Sequence, residues 1–374
     1  MVDQPMRIGI VCYPTVGGSG VVATEMAMQA ARLGHEVHLV SYGRPSRLRR
    51  GIPGLRYHGV EVSAYPLFRF PPYDLALATR MLEVHEEAKL DLFHVHYAIP
   101  HAVSAYLARQ MSGGSLPFVT TLHGTDITVV GVDRAYMRPT RFAIEQSNAV
   151  TAVSRFLAEE TNLLFGLRRP IHVVPNFVDL QRFAPGPRGR WYERNEEERV
   201  VVHASNMRPV KRLGDVVRAF AVLARELPSR LLLAGDGPDR DHGLAVAADL
   251  GLKDRVEHLG NVEQIESILA DADLCLSMSE TESFGLSLLE AMSCGVPCVS
   301  SDVGGVSEVL GDTGALVPLG DTDAAGRAAI ALLSDVDRHR ADGKASRARA
   351  VERFDRDKVV DQYFAIYRDV LASR

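Results

Sequence analysis

Short apolar runs alternate along this chain with stretches in which apolar residues recur every three or four positions. Arg7–Tyr13 reads as a strand, Gly20–Leu33 as a helix closed by Gly34, and Glu36–Tyr42 as a second strand. Leu75–Lys89 has helical spacing, Asp91–His96 reads as a strand, Pro100–Met111 as a helix and Phe118–Leu122 as a strand. Thr140–Gln146 is helical, Ala149–Val153 extended, Ser154 caps the helix Arg155–Leu164, and Ile171–Val174 is one more strand. Repeated strand–helix alternation predicts a parallel sheet covered on both faces.

The pattern then breaks. Arg182 to Glu198 is rich in proline, glycine and charge, as in Pro185-Gly186-Pro187 and Glu196-Glu197-Glu198, which is linker chemistry. A second alternating set follows: Val200–Ala204, Arg230–Ala234, Val256–Leu259, Asp273–Met278 and Val296–Ser300. The tail, Asp321 to Ser373, is helical in pattern. The expected architecture is α/β: two doubly wound, Rossmann-like domains facing each other across a cleft, with C-terminal helices. Residues 1–180 form the first domain, 181–199 the linker and 200–355 the second. A C-terminal helix spans 356–374, with a crossing back to the first domain left open. In such sheets ligands bind at the carboxyl ends of the strands.

With 374 residues, two domains are the natural division. Hydrophobic content of 46% and charge of 24% fit a water-soluble globular protein. The net charge of -5 argues against nucleic acid as a partner. No run approaches the roughly 18 apolar residues of a membrane span, and no signal peptide is visible. The four cysteines, Cys12, Cys275, Cys294 and Cys298, lie in or beside apolar runs without paired metal spacing. They read as reduced core thiols, so a cytoplasmic enzyme without a metal site is expected; a homo-oligomer is left open.

Candidate chemistry gathers at strand ends. After the first strand, Gly17-Gly18-Ser19-Gly20 lets backbone approach a phosphate or another anion at a helix start. Gly18, Gly20 and Ala23 also satisfy a dinucleotide pattern, which needs an acid about 20 positions on. The second strand ends instead at Ser41-Tyr42-Gly43-Arg44, where only a 2′-phosphate reader would suit Arg44. His123-Gly124-Thr125-Asp126 follows Phe118–Leu122, and His94, His96 and His101 cluster with Tyr97. Two histidines on one strand face could begin a metal site but need further ligands, so lining of the cleft is preferred.

In the second half, Ser205-Asn206-Met207-Arg208-Pro209-Val210-Lys211-Arg212 puts three cations within five positions at a strand end. That suits a diphosphate clamp, although a solvated basic turn has the same composition. Glu282-Ser283-Phe284-Gly285-Leu286 leads from Asp273–Met278 into a helix that carries Glu290 and ends at Gly295. Free N–H groups at Phe284, Gly285 and Leu286 favour an anion, while Glu282 and Glu290 can accept hydrogen bonds from hydroxyls. Donors for phosphate beside acceptors for hydroxyls are what a sugar nucleotide needs.

In this order the pieces resemble the retaining glycosyltransferases of the GT-B fold, family 4. The likeness spans nearly the whole chain: the Gly-Gly loop, His123-Gly124-Thr125-Asp126, Pro175-Asn176, the Arg/Lys clamp, Gly235-Asp236-Gly237-Pro238, and Glu282 with Glu290. Tyr13-Pro14-Thr15, His94-Val95-His96-Tyr97-Ala98-Ile99-Pro100-His101 and Thr121-Leu122-His123-Gly124-Thr125-Asp126 look like one subgroup. Its members move N-acetylglucosamine from UDP-N-acetylglucosamine to the hydroxyl of L-malate, at the first step of bacillithiol biosynthesis.

The resemblance implies an acceptor-binding first domain and a UDP-sugar-binding second one. Catalytic roles fall to His123, Lys211 and Glu282. Donor contacts fall to Gly18, Ser19, Asn206, Arg208, Lys211, Glu282, Phe284, Gly285, Leu286 and Glu290, the last on the ribose. Acceptor contacts fall to Ser19, Tyr97, Thr121 and Arg141, with Arg141 pairing a malate carboxylate. Many relatives carry the clamp arginine five positions before the lysine, where this chain has Asn206, so Arg208 and Arg212 both stay open as the phosphate arginine. No cofactor beyond the donor and no metal is implied. A family 4 enzyme with another small acceptor, an NADP-dependent oxidoreductase, an epimerase of the same shape and an idle sugar-nucleotide-binding module are the competing readings. The missing ribose acid disfavours the oxidoreductase. The presence of His123, Lys211, Glu282 and Glu290 together disfavours the idle module.

Overall fold

A computed structural model of the chain describes residues 4–15, 17–186 and 197–373. Val16 of the glycine loop, and 187–196 of the expected linker, lie outside the described residues. The chain divides into two compact units, one of residues 1–176 with 357–374 and the other of 177–356.

The first unit holds the strands β1 (Arg7–Val11), β2 (Glu36–Ser41), β3 (Leu55–Gly59), β4 (Leu92–His96), β5 (Phe118–Leu122), β6 (Ala149–Ala152) and β7 (His172–Val173). All pair in parallel, in the order β3-β2-β1-β4-β5-β6-β7. Its helices are α1 (Ser19–Arg32), α2 (Tyr73–Ala88), α3 (Val103–Met111), α4 (Met137–Gln146) and α5 (Arg155–Phe165). Burial drives the central strands: β4 and β5 are covered on both faces, so their residues are apolar or internally hydrogen-bonded. Ser154 caps α5 by accepting the Leu157 N–H at 3.1 Å, and Gly166 closes it at φ 55°.

The second unit holds β8 (Arg199–Ala204), β9 (Ser229–Ala234), β10 (Val256–Gly260), β11 (Leu274–Ser277), β12 (Cys298–Ser301) and β13 (Ala315–Val317), all parallel, in the order β10-β9-β8-β11-β12-β13. Its helices are α6 (Leu213–Glu226), α7 (Arg240–Asp249), α8 (Ile265–Asp271), α9 (Leu286–Ser293), α10 (Val306–Leu310), α11 (Thr322–Leu333) and α12 (Val336–Arg353). Side chains of β8, β9, β11, α6 and α11 build one buried core cluster of this unit, and α9 buries Leu288, Leu289 and Met292 as well. Helix α6 meets α11 closely at Gly326, where a Cβ would lie 2.4 Å from Val222.

The last helix, α13 (Arg356–Ala372), packs on the first unit. Val359, Val360, Tyr363, Phe364 and Tyr367 are its buried stripe, and Phe364 stacks on His35. Residues 177–183, divided by the sequence reading between first domain and linker, belong to the second unit. The Val178 N–H donates to the Phe354 carbonyl at 3.0 Å, Arg356 pairs with Asp179 at 2.6 Å, and Arg347 donates to the carbonyls of Leu180 and Phe183.

Two other expectations shift. Strand β3 was not read from the sequence, because its residues are only partly buried and give a weak pattern. The helix expected from Pro100 begins at Val103, after a wide turn at Ala98–Ala102 in which Ile99 is extended (φ -129°, ψ 140°). Pro100 lacks an N–H and disfavours helical backbone at the residue before it.

Candidate active site

In each sheet the strand order reverses once at the centre, between β1 and β4 in the first unit and between β8 and β11 in the second. The carboxyl ends of those strands form the crevice where open α/β sheets bind ligands.

In the second unit, β8 runs into Ser205-Asn206-Met207-Arg208 and a single tight turn, Pro209–Lys211. His203 organises this loop. Its Nδ1 donates to the Leu276 carbonyl at 2.9 Å, its Nε2 accepts a hydrogen bond from the Ser205 hydroxyl at 2.8 Å, and Ser205 Oγ accepts the Met207 N–H. Burial lowers His203 to about 4, so it stays neutral. Gly235 and Gly237 press on the same loop: a Cβ at either would fall within 2.1 Å of the Ser205 or Asn206 carbonyl. The Glu280 N–H donates to the Val210 carbonyl at 2.8 Å, tying the loop after β11 to the turn after β8.

That tie places Lys211 Nζ 2.5 Å from Glu282 Oε2, both groups partly exposed. Asn206 and Arg208 are exposed. Arg212 is not equivalent to Arg208: it has φ 51° and pairs with Asp215, whereas Arg208 has no side-chain partner among the described residues.

Helix α9 begins beyond Gly285, which holds φ 98°, and has neither a side-chain cap nor an acidic residue in its first turn. Its leading N–H groups are therefore open to an anion. Phe284 turns its ring inward against Phe354 and offers only backbone. Glu290 is buried at 6% exposure, one turn into the helix.

In the first unit, α1 begins at Ser19 beyond Gly18, which has φ 63°, again with no side-chain cap. Gly20 sits so close to the preceding loop that a Cβ would lie 2.5 Å from the Tyr13 carbonyl and Thr15 Oγ1. Beyond β4 and β5, Asp126 joins two loops. One of its oxygens accepts the Ala98 N–H at 2.9 Å, and the other accepts those of His123 (3.1 Å) and Gly124 (2.9 Å). Burial pushes its carboxyl up to about 6 against those N–H groups, which favour the anion. The sequence showed Asp126 only as part of a motif; its clamping role needs β4 beside β5.

The same juxtaposition builds an aromatic group. His96 Nδ1 lies 2.8 Å from His123 Nε2, Tyr97 packs 5.4 Å from the His123 ring, and Tyr13 lies 4.5 Å from His101. Burial lowers His123 to about 3 and His101 to about 4. Ser19 is buried at the start of α1, while Gly17 and Gly18 are exposed.

Two expected acceptor residues are engaged elsewhere. The Thr121 hydroxyl is fully enclosed, hydrogen-bonded at 2.6 Å to both Thr151 and His94, because its strand position faces into the covered sheet. Arg141 lies on the exposed face of α4, its guanidinium on Glu145 (3.3 Å) and the Gly166 carbonyl (3.4 Å). Behind Thr121, Tyr367 of α13 places its hydroxyl 2.7 Å from His94 Nδ1, a contact that no local sequence signal announces.

Among the described residues, no helix is long and apolar enough to cross a membrane. A sequence profile described as glycosyltransferase family 4 matches residues 16–182, and one described as glycosyl transferases group 1 matches residues 198–335. Over 371 residues the chain is 48% identical to N-acetyl-alpha-D-glucosaminyl L-malate synthase of Bacillus anthracis, covering 98% of this chain and 97% of that protein. It superposes on sucrose-phosphate synthase from Thermosynechococcus elongatus with a TM-score of 0.82 at 21% identity, covering 99% of this chain and 100% of that one. For Anabaena HepE, crystallised with UDP and glucose, the TM-score is 0.81 at 20% identity, covering 96% and 99%. Two Rossmann-like units of this topology, matched over nearly their whole length, make the fold GT-B, and the chain belongs to glycosyltransferase family 4 as a sugar-nucleotide-dependent enzyme.

Proposed function

We propose that this chain transfers N-acetylglucosamine from UDP-N-acetylglucosamine to the hydroxyl of L-malate, with retention at the anomeric carbon, as the first step of bacillithiol biosynthesis. The observation that carries the reading is the meeting of Lys211 and Glu282 at the switch point of the second sheet, in a chain 48% identical to a protein named for that reaction. Lys211 and Arg208 hold the diphosphate, with Arg208 preferred because Arg212 is taken up by Asp215. The start of α9 supports the developing charge on the leaving phosphate, and preorganised donors of this kind are the largest single term in many enzymes. Glu290 accepts from the ribose hydroxyls, and Glu282 from the sugar.

Malate is a dianion, and the uncapped start of α1 at Gly17-Gly18-Ser19-Gly20 is the anion site of the first unit, with Tyr97 beside it. This assignment replaces Arg141 and Thr121, whose polar atoms are committed elsewhere. Transfer proceeds on one face of the sugar: the departing UDP oxygen takes the malate hydroxyl proton as the new C–O bond forms. Glu282, held by Lys211, serves as a hydrogen-bond acceptor, and the two acids of a retaining hydrolase have no counterpart in this scheme. The scheme uses no metal and no cofactor.

Incubation with UDP-N-acetylglucosamine, UDP-glucose or GDP-mannose and a panel of 2-hydroxy acids, reading nucleotide release, tests the proposal. Release only with UDP-N-acetylglucosamine and L-malate is expected. Preference for another donor or acceptor refutes the substrate assignment, and loss of activity in chelator refutes the metal-free scheme.

A further inference from the structure

His96 and His123 share a hydrogen bond whose direction the surroundings determine. His96 Nδ1 lies 2.8 Å from His123 Nε2, with the rings 5.1 Å apart and nearly parallel. The other nitrogen of His96, Nε2, is buried without a partner. A neutral imidazole carries one N–H. Were it at Nε2, a buried donor would be left unpaired, which is the costly arrangement. With the proton at Nδ1, His96 donates to His123 and only a lone pair at Nε2 is unused. His123 Nε2 is then an acceptor, so the single proton of His123 sits on Nδ1, which has no partner among the described residues.

The neighbours hold this arrangement from each side. His101 Nδ1 donates to the His96 carbonyl at 2.5 Å. The His94 ring lies 4.4 Å from that of His96, itself fixed by the Tyr367 hydroxyl at Nδ1 and Thr121 at Nε2. Tyr97 packs on His123, and Asp126 anchors the His123 backbone N–H. Burial lowers His94, His96, His101 and His123, so none of the four charges at neutral pH.

We propose that His96 is a positioning residue that holds His123 in the Nδ1–H tautomer, so that His123 meets the donor sugar nucleotide as a hydrogen-bond donor and not as a base. The use of that donor rests on the reading of His123 as facing the sugar; the proton arrangement does not. Directing an N–H at a sugar or phosphate oxygen suits a reaction in which the leaving group itself takes the acceptor proton. It also gives the buried His94-Thr121-Tyr367 group a task, the backing of His96.

Nitrogen-15 spectra of histidine-labelled wild-type protein read the tautomer directly, with His123 and His96 assigned by the signals missing in His123→Asn and His96→Asn. The expected result is a protonated Nδ1 and an unprotonated Nε2 on His123, unchanged from about pH 6 to pH 8. A proton on Nε2, averaging between tautomers or an imidazolium would overturn the proposal without the need for any folded variant. His96→Asp then supplies an acceptor in place of the donor and should draw the His123 proton to Nε2. Its kcat should fall at least tenfold with KM for UDP-N-acetylglucosamine within about twofold, the direction of the loss of about 10⁴-fold that a wrong histidine tautomer causes in a serine protease. His96→Asn, which keeps an N–H, should retain more of kcat than His96→Asp. Wild-type turnover in His96→Asp overturns the positioning role. Wild-type turnover in His123→Asn as well removes His123 from the sugar site, a failure of the functional reading that leaves the tautomer standing.

Discussion

Replacing Asp126 by asparagine isolates what one buried carboxylate does for the site. Asp126 is 1% exposed and accepts three backbone N–H groups from the loops after β4 and β5. Burial raises its pKa from the ordinary 3.8 to about 6. That interval corresponds to about 3 kcal/mol at 1.36 kcal/mol per tenfold change in proton affinity. The folded protein binds this proton more tightly than the unfolded chain. The contribution is therefore complete below about pH 4 and lost as the pH rises through about 6. Buried histidines act in the opposite sense. His94 and His123, lowered to about 3, and His101 and His203, lowered to about 4, give stability that is present above about 6.5 and lost in acid. Comparing wild type with Asp126→Asn at each pH cancels the histidines. Urea unfolding should show the wild type gaining on the variant by about 1 kcal/mol between about pH 7 and pH 5, the part of that contribution that falls above the acid range in which the buried histidines unfold both proteins. Near neutrality the two should be close. Asparagine relieves the buried charge but turns an NH2 towards the Ala98 N–H, and an unpaired buried donor costs about 1–3 kcal/mol. Turnover should fall even so, because the loops bearing Tyr97 and His123 lose their common anchor. A difference that is flat with pH, or that shrinks towards acid, would mean that folding does not raise the proton affinity of Asp126.

Lys211→Ala should lower kcat about a hundredfold or more by removing charge stabilisation on the leaving phosphate, while unfolding free energy moves by less than about 1 kcal/mol. Arg208→Ala should raise KM for UDP-N-acetylglucosamine about tenfold, the scale of one charged hydrogen bond. Arg212→Ala should instead act on the melting temperature through Asp215, and the reverse pattern would exchange the two assignments. Gly20→Ala should raise KM for L-malate, since its Cβ would lie 2.5 Å from the Tyr13 carbonyl and must displace the start of α1. Arg141→Lys should leave both KM values within twofold; a rise for malate alone would return Arg141 to the acceptor site.

The site's loops were readable because each follows a strand and carries residues with special requirements: glycines at Gly17-Gly18 and Gly285, cations at Arg208 to Arg212, and Glu282 eight positions before Glu290. What joins them was not. Lys211 and Glu282 are 71 residues apart and meet only because β8 and β11 are neighbours in a sheet whose order departs from the chain's. The His96–His123 bond likewise needs β4 beside β5, with His96 in register with Thr121. Side-chain commitment was invisible too: an arginine on an amphipathic helix looks the same whether it faces a ligand, as expected for Arg141, or pairs with Glu145. Strand β13, three residues long, was too short to give a pattern. The return of α13 to the first unit is not legible in the sequence, because its apolar stripe fits any apolar surface. Tyr363 and Tyr367 find theirs against His94 and Met26.

The product of one turnover decides the reaction: purified enzyme, UDP-N-acetylglucosamine and L-malate, with the product's mass and anomeric configuration read by mass spectrometry and proton NMR. The expected product carries one N-acetylglucosamine joined through the malate hydroxyl, in the α configuration of the donor, with one UDP released per product. A β-linked product would contradict retention, and UDP release without a malate conjugate would contradict the acceptor.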